Sequence, residues 1–286
     1  MTMIILISLE VIIILSVMIR AMIFINESSQ QKGNSEGLSN IGVVSQTTGN
    51  QEFQADVAGI EVSTAGILAV LSDGIGKANT GKICSQIATD TILDSFQPYK
   101  VLHNPEYFFK ISFHEAHKRI QRTLENRRGG ACLAAAFVKD GMLHYGLAGD
   151  IRIAILRNEE LIPISKGHTI DVLALNAYEN GVLSKNQTLW TMEEKKVWNF
   201  VGKDGFHEIE IAEKPVALKP GDVVLLLTKG VYESLSWADI EDILLKELTV
   251  KEKADNIIME AERKSGMEKE NGSVVLLMPE VQYEKN

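Results

Sequence analysis

Apolar residues fall into three regimes along the chain. From Met3 to Ile25 the sequence is dominated by Ile, Leu, Met and Val, broken by Glu10 and Arg20. About 20 apolar residues suffice to cross a bilayer, so residues 1–25 are predicted to form a transmembrane anchor. Residues 26–40 (NESSQQKGNSEGLSN) turn polar, with Ser, Gln, Asn and Gly, and read as a flexible linker. From residue 41 to 282 the pattern is that of one globular domain without internal repeats. Gly66 to Ser72 is a short continuous apolar run and predicts a buried strand. Ile83, Ile87, Ala88 and Ile92 make a helical stripe within Gly81 to Phe96. Phe109, Phe113, Ala116, Ile120 and Leu124 make another within Pro105 to Glu125. Ala131 to Val138 and Leu143 to Leu147 flank Lys139-Asp140-Gly141, a hairpin signal. Ile151 to Leu156 is expected to continue that hairpin as a meander. Val223 to Leu227 and Val274 to Met278 are two further strands, with a helix between them marked by Ala254, Ile257, Ile258 and Ala261. Hairpins with intervening helices, rather than strict β-α-β alternation, favour an α+β class.

Composition refines this picture at three points. The formal charge of −9 argues against nucleic-acid binding, which needs a positive field. Cys84 and Cys132 lie in apolar stretches with no metal-ligand spacing, so two buried thiols are expected in preference to a disulfide. That leans towards a reducing compartment. In the apolar N-terminal run, Glu10 costs about 2.5–3.5 kcal/mol on insertion scales, which the surrounding Ile and Leu outweigh. Arg20 sits where it can reach the headgroups. With no basic residue on the other flank, the bias of positive charge puts the large domain in the cytoplasm and the protein in the cell membrane.

Candidate chemistry concentrates in residues 68 to 92, LAVLSDGIGKANTGKICSQIATDTI. Gly76, Gly81 and Lys82 match part of a phosphate-binding loop, but Ile83 stands where that motif needs a hydroxyl for magnesium. The other reading starts at Asp73-Gly74. An Asp at a strand end followed by Gly can present a carboxylate and a bare carbonyl to one hard cation.

The second reading brings a family resemblance into view. Asp73-Gly74-Ile75-Gly76-Lys77 resembles the D-G-M-G-G strand end of the PPM-type, metal-dependent serine/threonine phosphatases. Upstream, Gly49-Asn50-Gln51-Glu52-Phe53-Gln54-Ala55-Asp56 resembles their G-x-R-x-x-(N/Q)-(E/Q)-D. Gly130-Ala131-Cys132 is similar to their G-T-T, Gly149-Asp150-Ile151-Arg152 to G-D-S-R, and Gly167-His168 to D-H. Thr228-Lys229-Gly230 is similar to S-D-G, and Glu270-Asn271-Gly272-Ser273 to D-N-x-(T/S). These segments keep the family's order from about residue 41 to 280, as in a divergent bacterial-like member.

The resemblance implies a sandwich of two antiparallel sheets flanked by helices. It implies two Mg²⁺ or Mn²⁺ ions held between carboxylates, with a bridging water attacking phosphoserine or phosphothreonine. Asp56, Asp73, Gly74, Asp150 and Glu270 are then the metal positions, with Asp56 and Asp73 central to catalysis. The implied partners are a phosphorylated protein or a partner kinase. The departures lie at the same positions. Gln51 replaces the phosphate-holding Arg, and Ala55 the residue before the first Asp. Lys229 replaces a metal-ligating Asp; an ammonium about 4 Å from a divalent ion costs roughly 8 kcal/mol at an effective dielectric of 20. Lys229 and Gln51 are thus assigned to the phosphate side. The expectation is a phosphatase with a weakened metal site; the alternative is a pseudophosphatase that binds phosphoprotein or regulates a kinase without hydrolysis.

Overall fold

The computed structural model describes residues 41–279, except 78, 98–100, 102, 126, 193–195, 265, 267 and 268. The predicted anchor and linker lie outside these residues. Among the described residues no helix is long and apolar enough to cross a membrane.

Strands that read as continuous apolar runs do so because both of their faces are covered. In β3 (Gly66–Gly76), Leu68 and Val70 pack on helices while Ala69 and Leu71 face the other way. That is the alternation of a strand with no solvent side. The same holds for β4 (Gly129–Lys139), with Leu133, Ala135 and Phe137 on the helix side and Cys132, Ala134 and Ala136 on the other. β2 (Val57–Ser63), β3, β4, β5 (Met142–Ala148) and β8 (Glu210–Ile211) pair in that order in one antiparallel sheet, with β9 (Val216–Ala217) also on β5.

The second sheet orders β1 (Gly42–Thr47), β11 (Gly272–Leu277), β10 (Val223–Leu227), β6 (Arg152–Arg157) and β7 (Glu160–Pro163). Its inner residues Ile153, Ile155, Val224, Leu226, Val275 and Leu277 meet those of the first sheet in a shared dry core. The α+β sandwich of two antiparallel sheets is therefore as expected. One expectation fails: β6 does not extend the β4–β5 meander. After β5 the chain crosses to the other sheet, where Arg152–Leu156 pairs with β10. Ile151, fully buried in the inter-sheet core, marks the crossing. Alternation cannot reveal it, since an apolar strand looks alike in either sheet.

Helices close the outer faces. α1 (Thr80–Asp94) and α2 (Pro105–Leu124) cover the first sheet through Cys84, Ala88, Ile92, Phe109, Phe113 and Ile120. α2 starts where the Asn104 side chain accepts the Tyr107 N–H at 2.9 Å and Pro105 occupies the first turn. α3 (Ile170–Glu179) and α4 (Lys185–Met192) lie between β7 and β8. The four-residue α5 (Lys229–Tyr232) follows β10 directly. α6 (Trp237–Leu244), with a Ser236–Asp239 capping box, and α7 (Val250–Lys264) cover the second sheet. At the far end of the sandwich the Met278 N–H donates to the Ile41 carbonyl at 2.8 Å.

Candidate functional site

The segments carrying Asp56, Asp73, Asp150, Lys229 and Glu270 all reach the end of the sandwich opposite to Ile41. Asp56 immediately precedes β2, Asp150 lies in the turn after β5, Lys229 opens α5 and Glu270 precedes β11. Asp73 and Gly74 fall within β3, which runs to Gly76, rather than after its end; they pair with Cys132 and Ala131. The strand is extended because Ile75 and Gly76 face Gly130 and Gly129 across the ladder. A cavity of about 460 Å³ opens here, with Gln51, Asp73, Gly74, Asp150, Lys229 and Glu270 in its lining.

Asp56 is buried at 3% exposure. Its Oδ2 accepts from Ser273 Oγ at 2.6 Å and Thr228 Oγ1 at 3.0 Å, and Thr228 Oγ1 in turn accepts the Ser273 N–H at 2.8 Å. No hydroxyl or N–H donates to its Oδ1, and the carboxyl makes a hydrogen bond with that of Asp73. Burial pushes the Asp56 carboxyl up to about 6, against the pull of Ser273 and Thr228. Burial likewise holds Asp73 well above the usual carboxylate range, and the charges of Asp56, Glu270 and Asp150 add to it. Asp56 and Asp73 abut and titrate as a pair.

Asp150, also 3% exposed, has an Oδ1 without a hydrogen bond, 3.4 Å from Arg152 Nη2. Burial raises its pKa, opposed by a hydrogen bond from Tyr232 and the charge of Arg152. The Arg152 guanidinium lies 5.0 Å above the Tyr232 ring.

Lys229 does not project freely into solvent. Its Nζ is 3.1 Å from Glu270 Oε1 and 3.7 Å from Glu233 Oε2. Burial works to lower its pKa, but Glu270, Glu233 and Asp150 raise it overall, so it stays an ammonium. Gly230 permits this arrangement: a Cβ there would lie 2.0 Å from the Asn271 carbonyl oxygen. Gln51, by contrast, is exposed and donates to the Lys269 carbonyl at 3.2 Å.

Several positioning residues carry no role in the sequence reading. Asn271 accepts the Ala55 N–H at 2.8 Å and donates to the Thr48 carbonyl at 2.9 Å, tying the loop before β2 to the start of β11. Thr228 and Ser273 aim Asp56, and Tyr232 holds Asp150. Thr228, Asn271 and Ser273 lie in the motif segments quoted above, Thr228 and Ser273 also at the ends of apolar strands, whereas no such signal marks Tyr232. His168 is buried away from the cavity; its Nδ1 accepts the Gly149 N–H at 3.0 Å. Both cysteines are free and buried.

Oxygen donors lacking hydrogen bonds suit a hard cation. Asp56, Asp73 and the backbone of Gly74 form one half of such a site. Among the described residues, however, no three His, Cys, Asp or Glu side chains converge as a closed metal cage. The half beside Glu270 holds the Lys229 ammonium instead.

No family model matches the chain. The serine/threonine phosphatase stp of Listeria innocua is 23% identical over 218 residues, covering 74% of this chain and 83% of that protein. Protein phosphatase PhpP of Streptococcus pneumoniae is 24% identical over 210 residues, covering 70% and 82%. The serine/threonine phosphatase of S. agalactiae shares the fold with a TM-score of 0.73 at 20% identity, over 84% of this chain and 99% of that one. The PPM Ser-Thr phosphatase MsPP of Mycobacterium smegmatis gives a TM-score of 0.65 at 18% identity, over 82% and 97%. This chain is a divergent relative of the PPM-type phosphatases. The PPM-type fold accounts for the order in which the motif segments return to one end of the sandwich. The PPM-type motifs also account for the carboxylates at Asp56, Asp73 and Asp150, but not for Lys229.

Proposed function

We propose that the domain is a PPM-type protein phosphatase that hydrolyses phosphoserine or phosphothreonine with Mg²⁺ or Mn²⁺, at a rate lowered by its altered site. The observation that carries this reading is the charge of the cavity. Asp73, Asp150 and Glu270 line it, with Asp56 beside Asp73 and Glu233 beside Lys229, against two cations, Lys229 and the Arg152 that pairs with Asp150. Even with one proton shared between Asp56 and Asp73, such a pocket repels a phosphate dianion and attracts a cation. Cation binding must therefore precede phosphate binding. This disfavours a module that holds phosphoprotein without metal.

Asp56, Asp73 and Gly74 would hold the ion, which when bound would supply Lewis acidity towards water and neutralise charge on the phosphoryl oxygens. The protein's own contribution is orientation. Ser273 and Thr228 fix Asp56, and Tyr232 and Arg152 fix Asp150. Gln51 offers a neutral amide where a guanidinium would clamp phosphate with two charged hydrogen bonds, which costs ground-state and transition-state affinity alike.

Hydrolysis of p-nitrophenyl phosphate and of a phosphothreonine peptide tests the reading. Slow turnover that requires Mn²⁺ and disappears with chelator or in Asp73→Asn is expected. Phosphopeptide binding with no turnover at saturating Mn²⁺ would favour the pseudophosphatase instead. The same proposal places the domain on the cytoplasmic side of the cell membrane, tethered by residues 3–25, with phosphorylated proteins or a partner kinase as its partners. Supporting this are the apolar run and the position of Arg20. Extraction of the full-length protein without detergent would contradict it.

A further inference from the structure

Resting on that reading, we propose that the cavity takes a single divalent ion, in the half made by Asp56, Asp73 and Gly74, because the Lys229 ammonium permanently occupies the half beside Glu270. Three observations meet here. Lys229 Nζ is 3.1 Å from Glu270, which lines the same cavity, and 3.7 Å from Glu233, so two carboxylates hold its charge at the cavity edge. Lys229 opens α5, and Gly230 behind it packs on Asn271 with no room for a Cβ, so the lysine backbone cannot withdraw. On the other side, Ser273 and Thr228 saturate one oxygen of buried Asp56, while no hydroxyl or N–H reaches the other, which is left to the carboxyl–carboxyl contact with Asp73.

The pairing of charges agrees with this assignment and leaves only Glu233, the second carboxylate beside Lys229, in excess. Glu270 is neutralised by Lys229, and Asp150 has Arg152 at 3.4 Å. Asp56 and Asp73 are left with the two negative charges that one divalent ion cancels. A second divalent ion beside Glu270 would have to displace the ammonium or sit against it, and like charges at that range repel strongly. One or two carboxylates with retained waters is also how Mg²⁺ prefers to bind. Lys229 thus keeps a positive charge where a phosphoryl group would rest, but it is a hydrogen-bond donor without Lewis acidity.

Titration of the full-length protein in detergent with MnCl₂, followed by calorimetry and by the electron paramagnetic resonance of free Mn²⁺, measures the stoichiometry directly. One ion per chain is expected for the wild type, and two for Lys229→Asp. Asp56→Asn should weaken the wild-type site at least tenfold, whereas Glu270→Gln should change it less than threefold. Asp73→Asn replaces Asp56→Asn if circular dichroism shows that the latter does not fold. Two ions per wild-type chain would overturn the proposal and leave the metal-dependent reading intact. So would one ion in Lys229→Asp, or a larger loss in Glu270→Gln than in Asp56→Asn. No Mn²⁺ binding by the wild type would overturn both.

Discussion

His168 and the Asp56–Asp73 pair respond to pH in opposite senses. His168 is pushed down to about 4 from 6.5 by burial and by the nearby His207, so the fold holds it neutral. Its stabilising contribution is full above the unfolded value and is lost as pH falls from about 6.5 towards 4. Asp56 and Asp73 are both raised, Asp56 from 3.8 to about 6, so the fold prefers the pair partly protonated. In the metal-free protein the Asp56 contribution is full below the ordinary carboxylate range and is lost as pH rises through about 6, and that of Asp73 is lost in the same sense. At about 1.4 kcal/mol per unit, the His168 effect is on the order of 3 kcal/mol. His168→Gln should therefore gain stability relative to the wild type as pH falls from 7 to 4, measured by urea unfolding with chelator present. Mn²⁺ should stabilise the wild type more at pH 8 than at pH 5, because protons compete for the same carboxylates. At this scale the sequence was informative about which residues meet: Asp56, Asp73, Asp150, Lys229 and Glu270 were all legible through motif order. It was silent on what Lys229 does there, because an ammonium aimed at Glu270 and one aimed at solvent have the same neighbours in the chain.

The segment from β3 to α1 shows what elements add. Gly81 and Lys82 suggest a phosphate-binding loop when read alone, but β3 lies in an antiparallel sheet and the chain passes from Gly76 to Thr80 in a short turn. Gly81 is needed for packing: a Cβ there would lie 2.7 Å from the Gly74 carbonyl oxygen, where α1 rests against β3. Lys82 is exposed. Lys82→Ala should leave Mn²⁺ affinity unchanged, and equilibrium dialysis with ATP should show no Lys82-dependent binding. Elements buried on both faces, such as β3, β4, β10 and β11, were readable as apolar runs, and α1, α2 and α7 as stripes. β1, β2 and β7 are edge or near-edge strands with mixed burial, and they gave no such run. α3 and α4 were equally hidden. Leu175, Val182 and Trp190 in this region are exposed, Trp190 at 83%, so apolar spacing there does not report a buried face.

For the molecule as a whole, the sandwich separates chemistry from connection. The site carboxylates sit where β2, β6 and β11 begin and β3, β5 and β10 end, while Ile41 and Met278 meet at the other end through a backbone hydrogen bond of 2.8 Å. The fold from 41 to 279 is in this sense a ring with one cut, and the location of the cut is incidental to the cavity. A short Gly-Ser bridge from Pro279 back to Ile41, with the chain reopened at Gly181-Val182 between α3 and α4, severs no strand of either sheet. Such a circular permutant should melt cooperatively and bind Mn²⁺ with the affinity of the unpermuted domain. Reopening it instead at Asn271, which stitches two motif loops together, should abolish that binding.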